Sequence, residues 1–80
     1  MGNEEIETRV RGYLCDKVGL DPAIESDDAL FTSGTLDSMD FVGLVEFLES
    51  EFEIRLSPFE VGIEDVDSVK MISQTIASRG

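Results

Sequence analysis

The sequence has no histidine and no tryptophan, and only one cysteine, one tyrosine and two prolines among its 80 residues. Without histidine, the side chain that most often moves protons near neutral pH is missing. The lone Cys15 forms no internal disulfide, holds no zinc by itself and has no imidazole to activate it, so it reads as a packing residue. One unpaired thiol suits a reducing compartment. No apolar run approaches the roughly 20 residues of a membrane span. The N-terminal MGNEEIETRV lacks an apolar signal core, and Ile6 stands where a myristoylation signal has Ser or Thr. These absences lead us to expect a cytoplasmic protein with no membrane insertion. A chain this short makes a single domain, here 1–80, with a thin core and little room for an enclosed pocket. A catalyst is disfavoured, and a small non-catalytic module is expected.

Basic residues are also scarce: six, against eighteen acidic ones, for a net charge of −12. Phosphate backbones and anionic lipid would be repelled, so nucleic acid is not an expected partner. Proteins with basic patches are. The acidic excess does not build a calcium loop, because no stretch has alternating oxygen ligands with Gly at position six and Glu at twelve. No metal site is expected.

Apolar periodicity sets the elements. Ile6, Val10, Leu14 and Val18 recur every four positions, predicting a helix from about Glu4 to Val18 with Asn3 as its cap and Gly19 as its stop. Residues 19–37 form a long connection whose Leu20, Ile24, Leu30, Phe31 and Leu36 should fasten it to the core. A connection of this length is uncommon in a compact domain and is usually functional. A second helix is predicted from Ser38 to Phe52, where Met39, Val42, Val45, Leu48 and Phe52, and also Phe41 and Leu44, fit helical spacing. Asp37 stands at the N-cap and Asp40 at the capping-box position. Ser57-Pro58-Phe59-Glu60 reads as the capping box of a short third helix, limited by Gly62. A last helix begins near Asp67 or Ser68, with Val69, Ile72 and Ile76 inward. Glu53-Ile54-Arg55-Leu56 is too short to build a sheet. The expected fold is all-α: a four-helix bundle of three longer helices and a short helix III, with a long loop between helices I and II.

Ser38 is the residue of chemical interest. It follows a glycine-containing loop and opens an apolar helix, which should leave its hydroxyl exposed. Unpaired N–H groups and the helix dipole at that end suit a phosphate ester. An Asp-Ser pair alone is an ordinary cap. The stretch around it is Leu30-Phe31-Thr32-Ser33-Gly34-Thr35-Leu36-Asp37-Ser38-Met39-Asp40-Phe41-Val42, and it resembles the attachment region of acyl and peptidyl (aminoacyl) carrier proteins. That region has Gly, two residues, Asp-Ser and a large apolar residue, matched by Gly34, Asp37, Ser38 and Met39. Leu44, Leu48, Glu49, Phe52, Ile54 and Pro58 resemble the family's second helix, its exit and its third-helix proline, so the resemblance covers essentially the whole chain.

The resemblance implies a carrier that is itself a substrate. A phosphopantetheinyl transferase would move 4'-phosphopantetheine from coenzyme A to Ser38, with Asp37 and Met39 recognised by the transferase, and cargo would ride as a thioester. Further partners so implied are an acyl- or aminoacyl-loading ligase and downstream acyl-using enzymes with basic docking patches. Asp40, Glu46, Glu49, Glu51 and Glu53 would dock them, in a stretch from Asp37 to Asp67 whose one cation is Arg55. A monomer is expected. Fatty-acid carriers commonly have an acidic residue five positions after the serine, where this chain has Gly43. The Leu-Phe-x-Ser-Gly-x-Leu-Asp-Ser-Met string looks more like small dedicated carriers, D-alanyl carrier proteins among them. The alternatives are a fatty-acid synthase acyl carrier protein and an acidic helical interaction module without a prosthetic group.

Overall fold

The computed structural model describes residues 2–56 and 61–79. Helix α1 spans Asn3–Tyr13 and is continued by a π-wound turn, Leu14–Val18. Its four-residue apolar spacing puts Ile6, Val10 and Leu14 on one buried face. The helix was expected to run to Val18; its last turn is instead wider, and Gly19 and Leu20 N–H both reach the Leu14 carbonyl. Gly19 supplies the stop at φ +86°, a left-handed conformation that suits glycine. Gly2, in extended conformation, takes the N-cap position expected for Asn3, which is the first helical residue.

Helix α2 spans Ser38–Phe52, as its periodicity predicts. Helical spacing offers more apolar positions than the core takes, and packing selects among them. Leu44, Val45 and Leu48 are buried, with Phe41 and Phe52 packed against the core, while Met39 and Val42 face out. Helix α3 spans Val69–Arg79 and buries Val69, Ile72 and Ile76 together with Ser73. The Ser73 hydroxyl donates to the Lys70 carbonyl, so its burial leaves no polar group unpaired. Ser68 caps this helix by accepting the Met71 N–H.

Helices α1 and α3 pack directly on each other. Aromatic rings line the gap between α1 and α2: Tyr13 stacks on Phe47 at 4.3 Å, and Phe47 meets Phe52 edge-on at 6.4 Å. At the rim, Arg9 bonds Glu51 at 3.0 Å and lies over the Phe52 ring.

The stretch 19–37 contains turns and no helix. Leu30, Phe31 and Leu36 are buried and Leu20 and Ile24 half-buried, so its apolar residues do fasten it inward. Its polar anchors come from the helices on either side. Arg11 donates to the Ile24 carbonyl and to Ser26 Oγ, which donates to Glu7 at 2.6 Å. From the start of α3, Lys70 N–H reaches the Ser26 carbonyl and the Asp67 carbonyl accepts from Leu30 N–H.

Three α-helices, one π turn and a 3₁₀ turn at Ile63–Asp65 account for the helical structure among the described residues, which contain no strand. The expected capping box of a short third helix, Ser57 to Glu60, lies outside them. The architecture is all-helical. No described helix is long and apolar enough to cross a membrane.

Candidate functional site

The long connection ends in a fixed approach to α2. Asp67 acts as a latch: Oδ1 accepts from Phe31 N–H at 2.7 Å and Thr32 N–H at 3.0 Å, and Oδ2 accepts from the Thr32 hydroxyl at 2.7 Å. Burial pushes the Asp67 carboxyl up, but the bonds from Thr32, Phe31 and Leu30 outweigh it and hold the group below the ordinary aspartate range. Beyond the latch the chain turns through Gly34, at φ +86°, whose N–H bonds the Phe31 carbonyl. Leu36 is buried and its N–H returns to the Leu30 carbonyl. The next two residues are therefore delivered from an anchored strap.

Asp37 and Asp40 close a reciprocal capping box. Asp37 Oδ1 accepts from Met39 and Asp40 N–H, both at 3.0 Å, and Asp40 Oδ2 accepts from Asp37 N–H at 3.1 Å. The Asp40 N–H, foremost, holds the Asp37 carboxyl below its ordinary range against desolvation. Sequence reasoning left the amides at this helix start open for a phosphate. They are not: Asp37 takes those of Met39 and Asp40, and its carbonyl takes that of Phe41. A phosphate ester on Ser38 would gain from the helix dipole but would find these three amides engaged.

Ser38, the first residue of α2, is exposed, and its hydroxyl has no hydrogen-bond partner among the described residues. Met39 beside it is 81% exposed, the most exposed large apolar side chain described. The arrangement offers a free primary hydroxyl and a protruding apolar neighbour on a rigid helix start. No described side chain hydrogen-bonds that hydroxyl to take its proton.

The acidic residues of α2 divide. Glu46 and Glu49 flank an apolar groove of about 210 Å³ floored by Phe41, Val42, Val45 and Leu56. Asp40 is half-buried and engaged in the cap. Glu51 lies on the α1 side, paired with Arg9. Glu53 ends the helix in a left-handed conformation, at φ 52°. Ser38, Met39, Glu46 and Glu49 thus share one side with the groove, whereas Glu51 is turned away from it.

Two features of the site were missed in the sequence. The sequence marks Asp67 only as a position near the start of the last helix; its distance along the chain from Thr32 hides the latch. Nothing in the spacing around Tyr13 signals that it reaches α2. A Cβ on Gly43 would lie 3.1 Å from the Tyr13 hydroxyl, so glycine leaves the notch this oxygen occupies. Burial, then Asp40 and Glu46, push the Tyr13 phenol up.

Comparison with known proteins places the chain among relatives. D-alanyl carrier proteins from three strains of Streptococcus thermophilus (LMD-9, CNRZ 1066 and LMG 18311) are each 40% identical to this chain over 50 residues. The matched stretch is 62% of this chain and spans 63% of the length of those relatives. The phosphopantetheine attachment site family matches residues 8–76, a range that takes in α2, the latch and most of α3. The chain belongs to the phosphopantetheine attachment site family, whose members carry a covalently attached 4'-phosphopantetheine.

Proposed function

We propose that this protein is a non-catalytic aminoacyl carrier whose 4'-phosphopantetheine is attached to Ser38. The observation that carries the assignment is the exposed, unengaged hydroxyl of Ser38 at the start of α2. Its surroundings fit the group: a phosphodiester there points to solvent, meets no packed side chain and lies at the favourable end of the helix dipole. When bound, the group supplies a flexible arm ending in a thiol that holds cargo as a thioester. The chain's own residues hold and present the attachment point. Asp37 fixes the helix start through its cap, and Met39 offers an apolar contact to the phosphopantetheinyl transferase. Asp40, Glu46, Glu49 and Glu53 present negative charge to that enzyme, to the loading ligase and to downstream enzymes with basic patches. Glu51 contributes less, because Arg9 already neutralises it. The protein acts as a cytoplasmic monomer.

Two observations favour a small amino acid over a long acyl chain as cargo. The likeness to D-alanyl carrier proteins is one. The other is the filled space between α1 and α2, where Tyr13, Phe47 and Phe52 meet ring to ring. The groove outside α2 is shallow and open, and an aminoacyl group needs no enclosure.

Intact mass tests the assignment. Wild type and Ser38→Ala are incubated with coenzyme A, magnesium and a broad-specificity phosphopantetheinyl transferase. A phosphopantetheine increment is expected on wild type alone; an increment on Ser38→Ala would place the attachment elsewhere. Loaded wild type is then offered D-alanine, ATP and a D-alanine-activating ligase, and a further alanyl increment is expected.

A further inference from the structure

Helix α2 has a gap in its surface at Gly43, and a residue of another helix fills it. The Tyr13 hydroxyl lies 3.1 Å from where a Cβ at 43 would stand. Its ring is held by the stack on Phe47, 4.3 Å between centroids and 19° between planes, so the oxygen is placed rather than swinging free. The ring is only partly buried, and no protein group described bonds the hydroxyl. Asp40 and Glu46, one turn to either side of Gly43, both act on the phenol. Burial first, then this negative charge, push the phenol further up from its ordinary value, so it stays a neutral phenol with two acceptor lone pairs.

The location bears on Ser38. Gly43 follows Met39 by four residues, so the two lie one above the other on the same face of α2, about 5–6 Å apart. Met39 is next to Ser38 and fully presented to a partner. A standard protein interface covers about 800 Å² on each side, a disc of about 16 Å radius. An enzyme that closes on Ser38 and Met39 therefore covers the Tyr13 notch as well.

We infer that Tyr13 is a specificity-determining contact for the enzyme that modifies Ser38, its hydroxyl oxygen and the neighbouring carboxylates of Asp40 and Glu46 receiving an arginine of that enzyme. A guanidinium matches the set. Its planar fork of five N–H donors spans a carboxylate and a second oxygen at once, and it lies flat against aromatic rings, which an ammonium group does less well. The net charge of −12 brings a basic partner to this surface. The glycine is then part of the recognition surface, since a Cβ at 43 would press on the phenol oxygen and shift it by a few tenths of an ångström. This inference rests on the carrier reading.

Tyr13→Phe tests it, because the ring stack is kept and only the oxygen is lost. Binding is measured by calorimetry between the broad-specificity transferase, with coenzyme A present, and two forms of the protein, Ser38→Ala and Ser38→Ala/Tyr13→Phe, neither of which can be modified at Ser38. Loss of a hydrogen bond to a charged group is expected to weaken Kd about tenfold. In steady state, with Ser38 intact, Tyr13→Phe should raise KM by about the same factor and leave kcat unchanged, the pattern of lost uniform binding. Thermal unfolding of the variant within a few degrees of wild type, about the shift that 1 kcal/mol produces in a domain this size, ties the effect to contact rather than folding. Kd and KM within about twofold of wild type, or a fall in kcat alone, would overturn the inference. Failure of wild type to accept phosphopantetheine at all would instead sink the carrier reading.

Discussion

Glu53 closes helix α2 at φ 52° and ψ 46°. For a residue with a Cβ, this left-handed conformation costs about 1–2 kcal/mol, because the Cβ crowds the following carbonyl oxygen. Glycine escapes that cost but loses more backbone entropy on folding. Glu53→Gly should therefore raise stability by about 0.5–1 kcal/mol, and Glu53→Asn by less, since Asn tolerates the region only partly. Urea unfolding at matched ionic strength measures it; a destabilised Glu53→Gly would mean that the glutamate side chain contributes more than its strain removes. The native residue gives up this stability while keeping a carboxylate on the exit of α2. At this scale the sequence was only partly legible. Asp37 and Asp40 could be read as a cap because the capping box is local, confined to four consecutive residues. The strain at Glu53 could not, because Glu carries no signature of a left-handed stop.

At the scale of elements, the strap 31–36 and helix α3 act together through Asp67. Replacing Asp67 by Ala removes the acceptor for two backbone N–H groups and the Thr32 hydroxyl. These groups are near the surface, so water replaces part of what is lost. The cost should be about 1–2 kcal/mol, with the fastest gain in amide hydrogen exchange at Phe31 and Thr32. The contribution depends on pH. The folded carboxyl ionises below its ordinary value, so its stabilisation is fully present above the unfolded value, about 4, and is lost as pH falls through the lower, folded one. The difference in melting temperature between wild type and Asp67→Ala should thus be constant from pH 7 to 5 and shrink below about pH 4. A gap that persists at pH 2 would place the effect in packing rather than in the ionised latch. Helix α2 was legible in both bounds and cap, since its periodicity and its box coincide. Which of its apolar residues face inward was not, because Met39 and Val42 differ from Phe41 and Leu44 only in what packs against them. The same limit hid the latch and the Tyr13 notch: each joins residues some thirty positions apart, and spacing rules see only neighbours.

For the whole molecule, the deciding quantity is a charge of −12 on a body of 27 × 25 × 20 Å. At 0.01 M salt the Debye length is about 30 Å, longer than any dimension of the molecule, so every carboxylate feels the others. At 0.1 M it is about 10 Å, and repulsion is confined to near neighbours such as Glu46 and Glu49. The self-repulsion disfavours the compact state, while the same field draws in basic partners. Added sodium chloride should therefore act in opposite directions on two measurements. Thermal stability should rise from 0.01 to 0.1 M, with most of the gain gone thereafter. The rate of association with the phosphopantetheinyl transferase should fall over the same range by about tenfold or more, as expected for electrostatically steered encounter. The Arg9–Glu51 pair is too exposed to reverse the first trend, since surface ion pairs contribute about 1 kcal/mol at most. If stability and association both weakened with salt, attractive pairs would dominate the fold. If association were indifferent to salt, the acidic face of α2 would serve solubility alone, and the docking roles of Glu46, Glu49 and Glu53 would fall with it.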